Sequence, residues 1–210
     1  LISGTSLSDP ANVLIIGAGI VGVNAMQMSL GLGANTTILD INNELLSKIK
    51  TQYPAVNIGT SSKQLIEGLL PIADVVIGAV LTPGAKPPTV VTREMLSLMQ
   101  AKSILSDVAI DQGGCFETSK PTTHSEPTYE IDGVIHYCVK NIPSAVPFTA
   151  TNALNEATKP FIARLASNGI EGLKSNNNLL MALNTHEGYL VNKEVADAHD
   201  LKYSDPSSVL

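Results

Sequence analysis

The sequence predicts an α/β protein, a doubly wound parallel sheet followed by a C-terminal helical segment, and three observations carry that prediction. Short β-rich apolar runs alternate with helix-patterned stretches from residue 12 to about residue 140. The first run empties into a glycine turn that opens a helix, Gly17-Ala-Gly-Ile-Val-Gly22. From Thr149 onward the alternation gives way to long helical texture.

Taken in order, a polar opening (Ser3 to Pro10) leads into Asn12-Val-Leu-Ile-Ile16, which reads as a strand buried on both faces. Ile20 to Leu30 has apolar residues at three and four spacing, and Gly31 and Gly33 stop it. Thr36 to Leu39 is a second strand closing on Asp40. Asn43 to Tyr53 is a helix with Leu45, Leu46 and Ile49 facing inward, capped by Asn42 or Asn43. A short strand near Val56 to Ile58, a helix from Ser62 to Ile72 and a strand from Asp74 to Val80 continue the pattern. Pro83 to Pro88 holds three prolines, which remove backbone donors and exclude helix or central strand. Thr92 to Met99 reads as a short helix, and Ile104 to Val108 and Val134 to Val139 as strands. Ala150 to Ala166 and Asn178 to Ala198 read as long helices with no strand among them. The expected division is residues 1–148 for the sheet domain and 149–210 for the helical segment.

Composition narrows the function classes. With 13 Lys and Arg against 19 Asp and Glu, and a charged fraction of 15%, no basic surface invites nucleic acid or anionic lipid. No apolar run approaches the roughly 18 residues of a membrane helix. Cys115 and Cys138 lack CxxC spacing, which favours reduced thiols and a cytoplasmic setting over a disulfide or zinc framework. His186-Glu187 lacks the second histidine of HExxH because Leu190 fills that place. His124, His136 and His199 have no partners at ligand spacing, so no metal site is expected.

The glycine turn carries the sharpest chemistry. In GxGxxG the first glycine permits the tight turn, the second lets backbone N–H groups approach a pyrophosphate, and the third allows close packing of the helix. The helix N-terminus adds a partial positive charge. Asp40, at the end of the second strand, stands where a carboxylate accepts hydrogen bonds from ribose hydroxyls and repels a 2′-phosphate; no Arg lies between Ile41 and Leu46. Gly17, Gly19, Gly22 and Asp40 therefore point to a Rossmann domain holding NAD, with an S-adenosylmethionine site, a flavin site or a purely structural turn as alternatives.

Several later segments are distinctive: Ala79-Val-Leu-Thr-Pro-Gly-Ala-Lys86, Asp107-Val-Ala-Ile-Asp-Gln-Gly-Gly-Cys-Phe-Glu117, Ser119-Lys-Pro-Thr-Thr-His124, Tyr137-Cys-Val-Lys-Asn-Ile-Pro143 and Thr185-His-Glu-Gly188. Together they resemble alanine dehydrogenase over essentially the whole chain. The NAD-binding subunit of proton-translocating transhydrogenase shares the glycine turn and the proline-glycine loop. Ile110-Asp-Gln-Gly-Gly114 looks like the dehydrogenase version, and the long insertion before the proline-glycine loop is missing.

The resemblance implies NAD-dependent oxidative deamination of L-alanine to pyruvate and ammonia, and its reverse, with Asp111 as the catalytic carboxylate. A turn-capping role for Asp111 is the alternative. It also implies that Ile20, Val21 and Ser61 line the adenosine half and that Val80 and Leu81 lie beneath the ribose and nicotinamide. Val108 and Asn141 would border the nicotinamide pocket, and Lys120 occupies a further contact position. Leu45 stands where some relatives have a ribose-contacting lysine. Cys115, beside Asp111, is expected to be a small buried residue rather than a reactive thiol. The family's substrate-binding Arg and Lys and its acid/base His belong to a domain ahead of the glycine turn. The 210 residues alone are therefore expected to bind NAD without turnover, and Leu179, Leu180, Met181 and Leu183 to lack their partner surface. A freestanding NAD(H)-binding module is the competing reading. Homo-oligomers, hexamers in the family, are the expected assembly, with the first helix as a plausible contact.

Overall fold

The computed structural model describes residues 1–82 and 85–210, which fall into two compact units. The first comprises Leu1–Thr82 and Lys86–Ile142, and the second contains Pro143–Leu210 with Ala85. Pro83 and Gly84, the proline-glycine pair of the loop singled out above, lie outside the described residues.

In the first unit β1 (Asn12–Ile16), α1 (Ile20–Gly31), β2 (Asn35–Asp40), α2 (Asn43–Gln52), β3 (Asn57–Thr60), α3 (Lys63–Leu69) and β4 (Val75–Gly78) alternate as read. A single 3-10 stretch, Glu94–Leu98, stands where a short helix was expected. β5 (Ile104–Asp107), β6 (Thr128–Ile131) and β7 (Val134–Tyr137) complete the sheet. Its order is β3-β2-β1-β4-β5-β7-β6, with every pairing parallel except β6 against β7.

β6 adds an antiparallel edge to the parallel, doubly wound sheet read from the sequence. Asp132 (φ 52°) and Gly133 (φ 84°) form the turn between β6 and β7. An Asp-Gly pair with both residues left-handed is the tight turn whose twist matches an antiparallel hairpin. The dipeptide was visible in the sequence, but Thr128–Ile131 alternates exposed and half-buried residues and so lacks the apolar run that marks the other strands.

Strand pleating divides the core between two faces. Val13 and Ile15 of β1 join Met26, Ile38, Leu46 and Val56, while Leu14 and Ile16 join Leu39, Ile66, Val76, Leu96 and Leu105 on the other side. Each such side chain contributes roughly 1.5–3 kcal/mol on burial. The layered packing fixes the crevice between the carboxyl ends of β1 and β4, where the strand order reverses.

The second unit differs from its reading. α4 (Pro147–Lys174) is longer than expected, and its helical geometry is broken at Gly169, where φ is 53° and ψ is −136°. The single helix expected over Asn178–Ala198 is instead α5 (Asn177–Met181), a hairpin of β8 (Thr185–His186) and β9 (Tyr189–Leu190), then α6 (Lys193–Ala198). α7 (Pro206–Val209) closes the unit. Glu187 (φ 46°) and Gly188 (φ 84°) turn the hairpin, and Asn176 and Asn192 each cap a new helix by accepting from a backbone N–H. Capping asparagines and a left-handed pair outweigh apolar periodicity there. Leu179 of this segment is buried within the molecule, whereas Met181 is exposed. Among the described residues no helix is long and apolar enough to cross a membrane.

Candidate functional site

The bend between β1 and α1 is built from backbone. Gly17 has φ 104°, and a Cβ there would sit 2.5 Å from the Ala79 carbonyl oxygen. At Gly22 a Cβ would lie 1.8 Å from the Gly17 carbonyl oxygen, so the helix can pack onto the turn only without a side chain. Above Gly19 there is nothing within 4 Å of such a Cβ, leaving open space over the helix start. Asn42 and Ser62 cap α2 and α3, whereas no side chain caps α1. Its first-turn N–H groups face solvent at exposed Gly19, Ile20 and Val21 with the helix dipole behind them, an arrangement suited to an anion.

Asp40 is held at this bend. Its Oδ2 accepts from Ala18 N–H at 2.7 Å and its Oδ1 from Asn42 N–H at 2.8 Å. Each oxygen keeps a second lone pair, so a carboxylate with fixed orientation remains able to accept from vicinal hydroxyls. A cleft of about 470 Å³ opens here, bordered by Gly17, Gly19, Asp40, Leu45 and Ser61 on one side and Val80 and Leu81 on the other. Ser61 donates its N–H to the Asp40 carbonyl at 2.8 Å.

Val80 and Leu81 also line a second cleft of about 180 Å³, together with Val21, Val108 and Asp111. Asp111 stands on the 3-10 turn Val108–Gln112 with its side chain exposed. Among the described residues it accepts no hydrogen bond from the turn that follows. Its two carboxylate oxygens accept from Asn141 N–H, each at 3.1 Å. Asn141 in turn has φ 51°, and its carbonyl oxygen lies 3.4 Å from His124 Nε2. The structure thus brings together Gly17, Gly19, Asp40, Ser61, Val80 and Leu81 in the first cleft and Val21, Val80, Leu81, Val108 and Asp111 in the second. Asn141 is tied to Asp111. Ile20 and Gly22 belong to the helix start without lining either cleft, and Lys120 borders neither, its N–H donating to the Tyr129 hydroxyl at 2.6 Å. A larger polar cleft of about 750 Å³ around Arg93, Glu94, Glu117 and Asp132 shares no lining residue with these two. Sequence reasoning missed Ala79, which lines both clefts, and Gln112. Position at a strand end was the available signal for the former.

Both cysteines are buried and neither is in a disulfide. Burial pushes the Cys115 thiol well up, and the neighbouring Asp107 charge pushes it the same way, so it is an inert small side chain. His136 is buried, with Thr118 Oγ1 at 2.8 Å from Nε2 and the Val134 carbonyl at 3.0 Å from Nδ1. Among the described residues no cluster of His, Cys, Asp and Glu is arranged to hold a metal.

An alanine dehydrogenase from Halomonas elongata is 47% identical over the full length of this chain, which spans 57% of that protein. A solved L-alanine dehydrogenase superposes with a TM-score of 0.86 at 42% identity, covering 95% of this chain and 56% of that one. A transhydrogenase from Sinorhizobium meliloti superposes with a TM-score of 0.73 at 22% identity over 92% of this chain and 54% of that one, a likeness of fold alone. The family described as "Alanine dehydrogenase/PNT, C-terminal domain" matches residues 1–193, and the chain belongs to it.

Proposed function

We propose that this chain is the NAD-binding part of an L-alanine dehydrogenase. The observation that carries the reading is the uncapped start of α1 over the Gly17–Gly22 bend, with the Asp40 carboxylate fixed beside it. In this reading the amides of the α1 start hold the pyrophosphate, while Asp40 accepts from the adenosine ribose hydroxyls and disfavours a 2′-phosphate. Ser61 borders the adenosine half, and Ile20 and Val21 supply backbone to it. Val80 and Leu81 support the ribose and nicotinamide, with Val108 and Asn141 beside the ring and Lys120 as an outlying contact. Bound NAD supplies the hydride acceptor.

Asp111 is the catalytic carboxylate of the proposal. It is exposed to the second cleft and oriented by Asn141 N–H, so its charge can stabilise positive charge developing at a substrate carbon and orient water or ammonia. The activity, deamination of L-alanine to pyruvate and ammonia and its reverse, is proposed for the complete polypeptide. A cytoplasmic homo-oligomer is part of the reading. Support for the assembly is α1, which has no charged residue and leaves Met28 exposed, beside exposed Leu32.

Calorimetric titration with NAD tests the site. Wild type is expected to bind, and Asp40→Ala to lose about tenfold to a hundredfold in affinity, the loss of hydrogen bonds to a charged acceptor. Equal affinities would remove Asp40 from the ribose. Alanine-dependent NAD reduction by the full-length protein, abolished in Asp111→Asn, tests the chemistry, and wild-type levels in that variant would exclude Asp111 from it.

A further inference from the structure

Behind the wall shared by the two clefts lies a buried polar assembly centred on Asp107, the last residue of β5, which is 0% exposed. Its Oδ1 accepts from Ala109 N–H at 3.0 Å and lies 3.5 Å from the Cys115 thiol. Its Oδ2 accepts from Cys115 N–H at 2.9 Å, Phe116 N–H at 3.3 Å and Ser119 Oγ at 2.5 Å. None of these donors carries a charge, and among the described residues no ion pair includes Asp107. A carboxylate withdrawn from water is tolerated only when its lone pairs are filled, and here five neutral donors fill them.

The origin of those donors gives the arrangement its direction. Ala109 stands at the front of the segment that carries Asp111, and Cys115, Phe116 and Ser119 stand at its back, so one side chain closes the loop at its base while Asp111 stays exposed at its crown. The packing tolerates no substitute at Gly114, where φ is 75° and a Cβ would sit 2.8 Å from Asp107 Oδ2. The assembly also reaches the opposite wall. A Cβ at Gly78, the last residue of β4, would lie 2.4 Å from the Cys115 sulfur and 2.6 Å from the Phe116 ring, so both side chains pack onto the backbone there. One buried carboxylate is therefore joined directly to the Val108–Gly114 loop and, through the Cys115 and Phe116 side chains, to Gly78, which leads into Ala79–Leu81.

We propose that Asp107 is a positioning residue for the Asp111 cleft, its buried carboxylate clamping the Val108–Gly114 loop against the end of β4 at Gly78 and so fixing where Asp111 and Val108 stand. The proposal rests on the dinucleotide reading of the site and extends it: the nicotinamide half is ordered by a hidden side chain, whereas the adenosine half is ordered by the α1 bend.

The test separates those halves in the full-length protein. Asp107→Asn keeps the size but sets an amide N–H₂ among groups that donate, and Ser119→Ala removes one donor while leaving the carboxylate. Each is titrated with NADH, read by the fluorescence of the bound nicotinamide, and with ADP-ribose, which has no nicotinamide. The expected result is a rise in the NADH dissociation constant of about tenfold for Asp107→Asn and about threefold for Ser119→Ala, with ADP-ribose changed by less than about twofold. A shifted nicotinamide emission maximum is expected alongside. Parallel weakening of both ligands, or no change in either, overturns the proposal. Should Asp107→Asn fail to fold, Ser119→Ala decides by the same split. Wild-type protein that binds neither ligand would instead defeat the dinucleotide reading on which the proposal stands.

Discussion

At the end of β1 the chain offers backbone to a ligand: two close-packed glycines, an uncapped helix and one fixed carboxylate. At the end of β5 it hides side chains instead, because Asp107, Ser119, Cys115, Tyr129, Thr118 and His136 form successive buried or half-buried contacts behind the Asp111 loop. The first region is local, drawn from residues 16–40, and its geometry follows from what glycine permits. The second gathers residues from β5, the segment after it, β6 and β7, and its geometry exists only once those strands pair. The difference teaches that a phosphate cradle can be made by conformation alone, while a loop bearing an exposed carboxylate needs an interior scaffold to hold it still.

The largest expected effect contrasts two glycines of the same bend. Gly22→Val drives a side chain into the Gly17 carbonyl and is expected to cost roughly 3 kcal/mol of stability or more, seen as a lower urea midpoint, and to abolish NAD binding. At Gly19, where the space is open, Val is expected to shift stability by no more than about 0.5 kcal/mol and yet weaken NAD by about tenfold or more, since only the ligand meets the new side chain. Equal stabilities for the two variants would break the account of a backbone-built cradle.

The interior scaffold has its own signature in pH. Burial lowers the pKa of His136, so the unfolded chain takes up its proton at a higher pH than the folded protein does. Stability from the neutral buried imidazole is fully present above about pH 6.5 and is lost as pH falls from there through the folded pKa. Urea unfolding between about pH 8 and pH 5 should show this decline, at most about 1.4 kcal/mol per pH unit, and His136→Gln should flatten it. An unaltered slope would place the titration elsewhere. The smallest effect belongs to Leu45, which borders the first cleft: Leu45→Lys is expected to raise NAD affinity about threefold at low salt and less at high salt, a solvent-exposed charge effect. An affinity that ignores salt would argue against a contact from this position.

Residues differ in how far the sequence announces them. Gly17, Gly22 and Asp40 were legible because a strand, a turn and a second strand supply their neighbours within one short stretch. Asp111 and Asn141 were named through motif resemblance, but that the carboxylate accepts the Asn141 N–H was not, since 30 residues separate them. β6 escapes a sequence reading because an edge strand needs no apolar run, and the periodicity over Asn178–Ala198 is overridden by the left-handed Glu187-Gly188 turn and the Asn192 cap.

The sequence by itself determined the alternation of strand and helix, the bend at Gly17 and the placing of Asp40, because apolar runs, glycine conformations and chain connectivity act over a few neighbouring residues. Tertiary structure alone decided the antiparallel edge, the meeting of Asp111 with Asn141 and the donor shell of Asp107. Those depend on which strands lie side by side, and hydrogen bonds between residues far apart in the chain form only after the sheet has brought them within about 3 Å.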